Sequence, residues 1–337
     1  MPAQRILIVQ LGRIGDLILM TAMFRALKET NAGHQIHLLA GRHNHRAALA
    51  LPFLDKVYAH TKKPWATVQL LRQLRREEYD LWIDPKDHYS RESHFFARWG
   101  RAKHKIGFNR AGQAPVFDEA LPGAEEQPDD HVTKRNLRAL RHFHLDNADP
   151  RPVLLTLPAY DARLQDVLQR QRVSNYYCVH LSASRDIRYW PTLNWIALLS
   201  QIAAEERWIF LTYGPGDENL AGEIARQVKH VALYRTDSIV EMFSVVKGAQ
   251  MVISPDTSVV HIAAAFDRPL LGLYSNHEWN YKKFHPLSTH FRAVMGPQPG
   301  TLVQDIPVDL VLRGYEELLH EIKEAKPKRK PAAENKS

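Results

Sequence analysis

Two glycines and an acid lie near the start of the chain, where an apolar run at 5–11 leads into a helix-like segment. The stretch reads Gly12-Arg-Ile-Gly15-Asp16. The glycines allow a ligand to approach the backbone closely. The spacing is not the G-x-G-x-x-G of dinucleotide sites, and an acid at the helix start would repel a bound pyrophosphate. Asp16 therefore has two interpretations, as a helix cap or as a general base that takes a proton from a hydroxyl.

A loop in the second half carries small and cationic side chains directly after a predicted strand. Residues 180–191 read HLSASRDIRYWP and include Ser182, Ser184, Arg185 and Arg188. Arginine offers forked, charge-assisted donors, so this set of side chains suits a phosphate. The alternative is an exposed basic loop.

A third turn follows the next strand of this half. Gly214 and Glu218 belong to the stretch Tyr-Gly-Pro-Gly-Asp-Glu at 213–218. A carboxylate at such a helix start can accept hydrogen bonds from a ribose. A Gly-Pro turn with a helix cap is the alternative.

The fourth candidate is Ser-Pro-Asp-Thr-Ser-Val-Val-His at 254–261, which precedes an alanine-rich helix. Asp256, Thr257 and Ser258 open that helix, and backbone N–H groups at a helix start bind anions. His261 shares a helix face with Thr257. The alternatives are capping for Asp256 and a satisfied buried histidine for His261.

Metal and nucleophile chemistry receive less support from the sequence. It contains no H-E-x-x-H, G-x-S-x-G or Walker loop, and the histidines between 34 and 45 lack carboxylates at ligand spacing. We expect no metal and no cofactor. His43 and His45 could instead meet a polar ligand at the end of a strand.

Composition indicates a globular protein of two domains. The chain has 337 residues, of which 45% are apolar and 24% charged. Cys178 is the single cysteine, which excludes an intramolecular disulfide and fits the reducing cytoplasm. The N-terminus does not resemble a signal peptide, and no stretch reaches the ~20 apolar residues of a spanning helix.

The chain is basic, with a net charge of +8. Its end, KEAKPKRKPAAENKS at 323–337, contributes six basic and two acidic residues. We expect this end to be disordered. It is either simply solvated or in loose contact with the anionic inner face of the cytoplasmic membrane. No nucleic-acid module is present, so no nucleic-acid partner is expected.

Apolar runs alternate with amphipathic segments in both halves, which predicts an α/β fold with parallel sheets. The predicted strands are 5–11, 35–41, 79–85, 104–108, 176–182, 207–214, 249–255 and 269–275. The predicted helices are 15–30, 65–77, 130–144, 159–172, 192–206, 217–229, 238–247, 257–266 and 308–325. The pattern therefore predicts two Rossmann-like domains, at 1–155 and 156–308, that face each other across a cleft. The second starts with a linker helix (156–174), and a C-terminal helix (309–325) and a disordered basic tail (326–337) come last.

Taken together, the motifs resemble glycosyltransferase family 9, the lipopolysaccharide heptosyltransferases. The resemblance is carried by G-x-x-G-D, by H-x-S-x-S-R-D-x-R-x-W-P and by S-P-D-T-S-x-x-H-I-A-A-A, with YDLWIDPKD and HKIGFNR as further landmarks. It covers roughly residues 4–320. It implies a GT-B fold and inverting, metal-independent transfer of heptose from ADP-heptose to a lipid-linked core saccharide.

Carried over by position, the resemblance makes Asp16 the catalytic base. It places the diphosphate on Arg188, the ribose on Glu218 and the donor sugar on Asp256. The amides of Thr257 and Ser258 then face the phosphates, with His261 nearby. Better-known members often have Lys and Gly where this chain has Arg188 and Ser258.

The resemblance also implies an acceptor cleft in the first domain. Gly12 and Gly15 would make room for the acceptor sugar, and the cleft would be lined by Lys86, Asp87, His88, Tyr89 and Arg91. This KDHYSR stretch is more charged than the family's usual glycine-containing one, so an unusual acceptor is expected. Two alternatives stay open: a GT-B enzyme with another donor or a nucleotide-sugar epimerase, and a non-catalytic nucleotide-sugar binder.

Overall fold

A computed structural model describes residues 2–325 and contains two parallel six-stranded sheets. The first sheet has the order β3-β2-β1-β4-β5-β6. Its strands are β1 (Arg5–Gln10), β2 (Gln35–Gly41), β3 (Lys56–His60), β4 (Tyr79–Ile83), β5 (Ala102–Gly107) and β6 (Glu119–Ala120). The second sheet has the order β12-β11-β10-β7-β8-β9. Its strands are β7 (Tyr176–His180), β8 (Trp208–Tyr213), β9 (Val231–Arg235), β10 (Met251–Pro255), β11 (Leu270–Tyr274) and β12 (Phe291–Met295).

Both sheets have the same strand order. If the strands of each sheet are numbered from its own first strand, and the second sheet is read from its β9 edge, each order is 3-2-1-4-5-6. This is the order of the dinucleotide-binding α/β fold. The predicted α/β architecture of two Rossmann-like units is confirmed. The central strands are nearly continuous apolar runs, as expected for strands covered on both faces.

Thirteen α-helices connect and flank the strands of the described chain. In the first half they are α1 (Ile14–Leu19), α2 (Thr21–Thr30), α3 (His45–Ala48), α4 (Pro64–Arg76), α5 (Arg91–Trp99) and α6 (Val132–Arg138). In the second half they are α7 (Pro158–Gln171), α8 (Thr192–Ala204), α9 (Glu218–Gln227), α10 (Ile239–Gly248), α11 (Ser258–Ala265), α12 (Glu278–Phe284) and α13 (Val308–Ala325). Short 3-10 helices cover Arg141–Phe143, Asp186–Arg188 and Val303–Asp305.

Two predicted helices are shorter than expected. The segment 15–30 is interrupted at Met20, and the Thr21 hydroxyl donates to the Ile18 carbonyl at 2.6 Å. Such a bond from a side chain competes with the helical backbone pattern. The segment 130–144 is helical only in α6 and in a 3-10 turn, which ends where His144 adopts a left-handed conformation.

Helix α13 belongs to the second half and packs against β11, β12 and α8. The two halves share one continuous apolar cluster, to which Leu17 and Ile18 of α1 and Val260 of α11 belong. Within residues 2–325, no helix is both long and apolar enough to cross a membrane. The predicted disordered tail at 326–337 lies outside the described residues.

Candidate active site

The predicted site residues lie at the carboxyl ends of strands, where open α/β sheets bind ligands. Asp16 follows β1 in the first sheet, and Asp256 follows β10 in the second. The two regions meet because α1 packs against α11. We call this contact the α1–α11 seam. It brings the first and fourth sequence motifs together.

Gly15 allows α1 and α11 to approach each other closely at this seam. A Cβ atom added at Gly15 would lie 2.9 Å from Cδ2 of His261 and 3.9 Å from the Cα of Ser258. The first of these distances is too short for two carbon atoms, so only glycine fits without a shift. Gly15 therefore has a packing role in addition to the acceptor role predicted for it.

Asp16 occupies the first turn of α1 and is partly buried. Its Oδ2 accepts a hydrogen bond from the Arg13 backbone N–H at 3.3 Å. Burial raises the pKa of Asp16, although that N–H and the charges of Arg135, Arg13 and Lys86 oppose the rise. Capping and base chemistry are therefore compatible, because one carboxylate oxygen caps the helix while a raised pKa makes the group a better proton acceptor.

Gly12 leaves room for this carboxylate. A Cβ atom at Gly12 would lie 3.1 Å from Oδ2 of Asp16 and 2.8 Å from Oε1 of Gln10. The Gly12 N–H donates to the same Gln10 oxygen at 2.9 Å. The first glycine of the motif is thus explained by the turn and by the acid that follows.

Asp256 and Arg188 form a nearly buried ion pair across the ends of β10 and β7. Arg188 Nη1 donates to the Asp256 carbonyl at 2.8 Å, and Nη2 lies 3.2 Å from Oδ2 of the same residue. Asn280 Nδ2 donates to that Oδ2 at 3.2 Å. Burial raises the pKa of Asp256, against the charges of Arg188 and Arg13 and the hydrogen bond from Asn280.

Arg13 connects the two acids electrostatically. Its charge favours the ionised form of both Asp16 and Asp256. Two carboxylates from different sheets therefore lie within the field of one guanidinium group. Sequence reasoning did not select Arg13, although it stands inside the first motif.

The start of α11 completes this part of the site. The Thr257 hydroxyl accepts from the Val259 N–H at 3.2 Å and so caps the helix. Ser258 is the first helical residue and is partly exposed. One turn further on, His261 is buried, and burial together with the charges of His131, Arg188 and His285 lowers its pKa to about 3. His261 is therefore neutral at physiological pH.

The turns after β7 and β8 are tied together by hydrogen bonds. The Ser182 hydroxyl accepts from the Gly214 N–H at 2.6 Å and donates to the Asp217 carboxylate. Tyr189 also donates to Asp217, at 2.9 Å. Glu218 is exposed, and its Oε2 accepts only a local hydrogen bond from the Gly216 N–H at 3.0 Å among the described residues.

Asp87, predicted for the acceptor cleft, is held in an ionic cluster. Arg135 Nη1 lies 2.9 Å from its carboxylate, His88 Nδ1 lies 2.8 Å away, and Lys283 Nζ of the second half lies 3.6 Å away. Although burial opposes ionisation, Arg135, His88 and Lys283 lower the pKa of Asp87 to about 2. Asp87 is thus a constant negative charge between the halves.

The other predicted acceptor residues are more open. Lys86 Nζ donates to the Ser90 hydroxyl at 3.3 Å, and its charge reaches Asp16. His88 and Arg91 are exposed, and Tyr89 is partly buried beneath the Arg110 guanidinium.

Two further contacts join the halves next to this cluster. His131 Nε2 lies 2.9 Å from the His285 carbonyl, and Lys282 Nζ lies 3.0 Å from Asp129. Sequence reasoning selected Asp87 but not its partners Arg135 and Lys283, which the paired cations Lys134-Arg135 and Lys282-Lys283 could have indicated.

Some predicted residues do not join the group. Ser184 and Arg185 are exposed, and no contact joins either side chain to Arg188 or Asp256 among the described residues. His43 and His45 interact with their neighbour Arg42. These two histidines therefore have a local explanation.

Two cavities, of about 370 and 450 Å³, lie elsewhere on the second sheet. They are lined by Tyr176, Arg172 and Ser174, among other residues. Tyr176 is the first residue of β7, so the cavities lie at the amino-terminal edge of the sheet. Ligands of this fold bind at the opposite edge, so the seam stays the better candidate.

Comparison with solved structures identifies the fold class. A glycosyltransferase family 9 protein from Veillonella parvula superimposes with a TM-score of 0.81 at 14% identity, over 94% of this chain and 98% of that one. Heptosyltransferase WaaC of E. coli with ADP gives 0.72 at 18% identity, over 94% and 98%. A UDP-GlcNAc 2-epimerase from Methanocaldococcus jannaschii gives 0.54 at 15% identity, over 97% and 94%. The architecture is the GT-B fold.

Sequence comparison narrows this class to a family. Residues 67–302 match glycosyltransferase family 9 (heptosyltransferase). Lipopolysaccharide heptosyltransferase 3 of Escherichia coli is 24% identical over 77% of this chain and 80% of its own length. Lipopolysaccharide heptosyltransferase 1 of Salmonella typhimurium is 36% identical, but this match covers 31% of the chain and about a third of that relative (34%). The chain belongs to glycosyltransferase family 9.

Proposed function

We propose that this protein transfers heptose from ADP-heptose to a saccharide of the lipopolysaccharide inner core, with inversion and without a metal or other cofactor. The observation that carries the proposal is the seam. There a carboxylate with a raised pKa, Asp16, shares the field of Arg13 with the Asp256–Arg188 pair of the other half. The names of the relatives supply the donor and acceptor class.

The reaction is a single displacement. Asp16 takes the proton from the acceptor hydroxyl, whose oxygen forms a bond to the anomeric carbon on the face opposite the leaving group. The bond from that carbon to the phosphate oxygen breaks, and its electron pair leaves with ADP. Positive charge at Arg188 and the amides at the start of α11 stabilise the departing diphosphate. Glu218 receives the ribose and Asp256 the donor sugar.

Asp16→Asn tests the base. Asparagine can still accept the Arg13 N–H, so folding and stabilisation by ADP should persist. Transfer should fall by roughly 10² to 10⁴-fold. The assay follows ADP release together with the mass gain of a heptose-deficient lipid A core acceptor. Asp309→Asn, in the exposed first turn of α13, is the matched control. Near-normal turnover of Asp16→Asn would refute the role.

Two other functions are distinguished by ligand preference and turnover. The fold shared with the epimerase favours testing a different nucleotide. Thermal stabilisation by UDP or GDP rather than ADP would support another donor or an epimerase. Stabilisation by ADP-heptose without transfer to any core acceptor would support a non-catalytic binder.

We infer a cytoplasmic location with peripheral docking on the inner membrane, because the acceptor is lipid-linked. Besides the basic tail, two helices of the described chain carry exposed apolar side chains that suit this contact. On α4 and α5, Trp65, Val68, Phe95 and Trp99 are 66%, 43%, 43% and 53% exposed. Both helices cover the same apolar cluster, to which Leu74 of α4 and Phe96 of α5 belong, and their ends are joined by a hydrogen bond from Arg75 to the Trp99 carbonyl.

The same two helices carry or adjoin exposed cations, namely Lys63, Arg72, Arg76, Arg98 and Arg101. Aromatic rings beside cations are the composition of an interfacial surface. Trp65→Ala/Trp99→Ala should weaken binding to vesicles containing anionic lipid by roughly tenfold. Leu193→Ala, at a residue 73% exposed on α8, is the control. Removal of 326–337 tests the tail separately. Unchanged binding of the double variant would exclude these two helices as the contact.

A further inference from the structure

A group of metal-ligating side chains lies at the outer edge of the first sheet. His104 of β5, Glu119 of β6 and His142 of the 3-10 helix after α6 place one potential ligand atom each within 4.8 Å of one another. Strand β5 is two strands away from β1, which leads to Asp16. The group is therefore separate from the seam.

The orientation of the rings favours a shared ion. His104 Nε2 lies 3.5 Å from Glu119 Oε2, is buried and has no hydrogen-bond partner among residues 2–325. His142 Nε2 contacts the same carboxylate oxygen. The two rings stand edge to face with centroids 5.7 Å apart, so both ε-nitrogens face one carboxylate.

A second carboxylate lies near the other ring nitrogen of His104. Asp118 Oδ2 lies 3.8 Å from His104 Nδ1. A carboxylate hydrogen-bonded to the distal nitrogen is the usual support of a metal-bound histidine, because it fixes the tautomer and raises the basicity of the ligand. Asp118 would supply this bond after approaching by roughly 0.6 Å. Arg141 opposes a bound cation, because its Nε lies 2.8 Å from Glu119 Oε1. Its side chain is 57% exposed, so it has room to turn outward.

We propose that His104, Glu119 and His142 bind a divalent transition metal, with Zn²⁺ as the best match. Two imidazoles and a carboxylate are a common zinc set, and water completes the tetrahedron. Zinc–ligand bonds of about 2.1 Å require ligand atoms roughly 3.4 Å apart. His104 Nε2 and Glu119 Oε2 already lie 3.5 Å apart. The longest separation, at most 4.8 Å, would close by up to about 1.4 Å, and the short contact between His142 Nε2 and Glu119 Oε2 would open.

The ion would have a structural role. It joins three separate elements, namely β5, the short edge strand β6 and the 3-10 helix after α6. Helix α6 carries Arg135, which contacts Asp87 and whose charge reaches Asp16. Binding would therefore fix the helix that delivers this cation to the seam, while the transfer step itself stays independent of the metal.

The test uses the full chain without an affinity tag, freed of metal by chelator, titrated with ZnCl₂ by calorimetry, and with CoCl₂ by visible absorption. The wild type should bind one equivalent, with the absorption bands of four-coordinate Co²⁺. His142→Ala should weaken binding at least tenfold. The side chain of His142 is 53% exposed, so its loss should not prevent folding.

His320→Ala removes an exposed histidine that also faces a carboxylate, Glu324, and serves as the control. It should bind zinc as the wild type does. Absence of a one-to-one zinc complex in the wild type would overturn the proposal. Equal affinity of His142→Ala and wild type would overturn it as well. A result of either kind leaves the glycosyltransferase proposal unaffected, since that is judged by transfer activity.

Discussion

Replacing Arg188 with alanine should destabilise the second half of the chain and abolish nucleotide binding. The Arg188 side chain is 17% exposed and that of Asp256 is 10% exposed, so the pair is largely shielded from water. The substitution removes both guanidinium contacts and leaves the Asp256 carboxylate with the Asn280 amide and the more distant charge of Arg13.

The expected loss in the free energy of unfolding follows from these contacts. Breaking a fully buried pair costs about 3–5 kcal/mol, and a hydrogen bond to a charged group contributes about 1.5–3 kcal/mol. Arg188 keeps some solvent access and Asn280 remains, so we expect a loss of about 2 kcal/mol in unfolding free energy. For a unit of this size that corresponds to roughly 4–8 °C in Tm. ADP, at a concentration that stabilises the wild type, should give no shift.

The pH dependence provides an internal check. Burial already raises the pKa of Asp256, and loss of Arg188 raises it further. An acid whose folded pKa exceeds its unfolded value destabilises the fold when ionised, and protonation removes this penalty. The difference in stability between wild type and Arg188→Ala should therefore be largest near pH 7.5 and shrink as the pH falls toward 4.

The experiment measures the Tm of each variant with and without ADP, and it includes two further variants. Arg185→Ala, on the exposed part of the same loop, should match the wild type in Tm. Arg188→Lys keeps the charge but cannot contact the Asp256 carbonyl and carboxylate with two separate nitrogens, so it should lie between wild type and alanine. If Arg188→Ala unfolds at the same temperature as Arg185→Ala, the pair does not stabilise the fold and this reasoning fails.

Two other perturbations address the contacts between the halves. Gly15→Ala should force the seam apart against His261, costing about 1–3 kcal/mol and lowering transfer activity. Gly222→Ala in α9, which meets only the end of a flexible side chain at 3.8 Å, should be neutral or stabilising by up to about 1 kcal/mol. Equal stability of the two variants, measured by urea unfolding, would contradict the close contact. For His131, burial lowers the pKa to about 4, below the ordinary 6.5. The unfolded chain therefore binds the proton first, and stability should fall as the pH drops from 6.5 to 4. His131→Gln, which can still donate to His285, should reduce that fall by about 2–3 kcal/mol; an unchanged pH profile would show that the histidine does not titrate on unfolding.

Local sequence patterns determined most of the secondary structure and the fold class. The buried strands β1, β4, β7 and β10 are apolar runs long enough to recognise, and turn residues follow each of them. The strands that were missed are β3, β6, β9 and β12, which form the edges of the two sheets. In β9, for example, buried and exposed residues alternate over only five positions. Helix α5 was also missed, although Ser90 caps it and buried residues recur at helical spacing.

The sequence alone also selected Asp16, Arg188 and Asp256 as candidate site residues, because acids and cations directly after strands are chemically conspicuous. It did not determine that these groups meet, since that depends on the packing of α1 on α11. The cluster of Asp87 with Arg135 and Lys283 was equally hidden. Its members lie up to nearly two hundred positions apart, so no local pattern relates them. Only the tertiary structure decides such contacts, because burial and the field of distant charges are properties of the folded chain rather than of any segment.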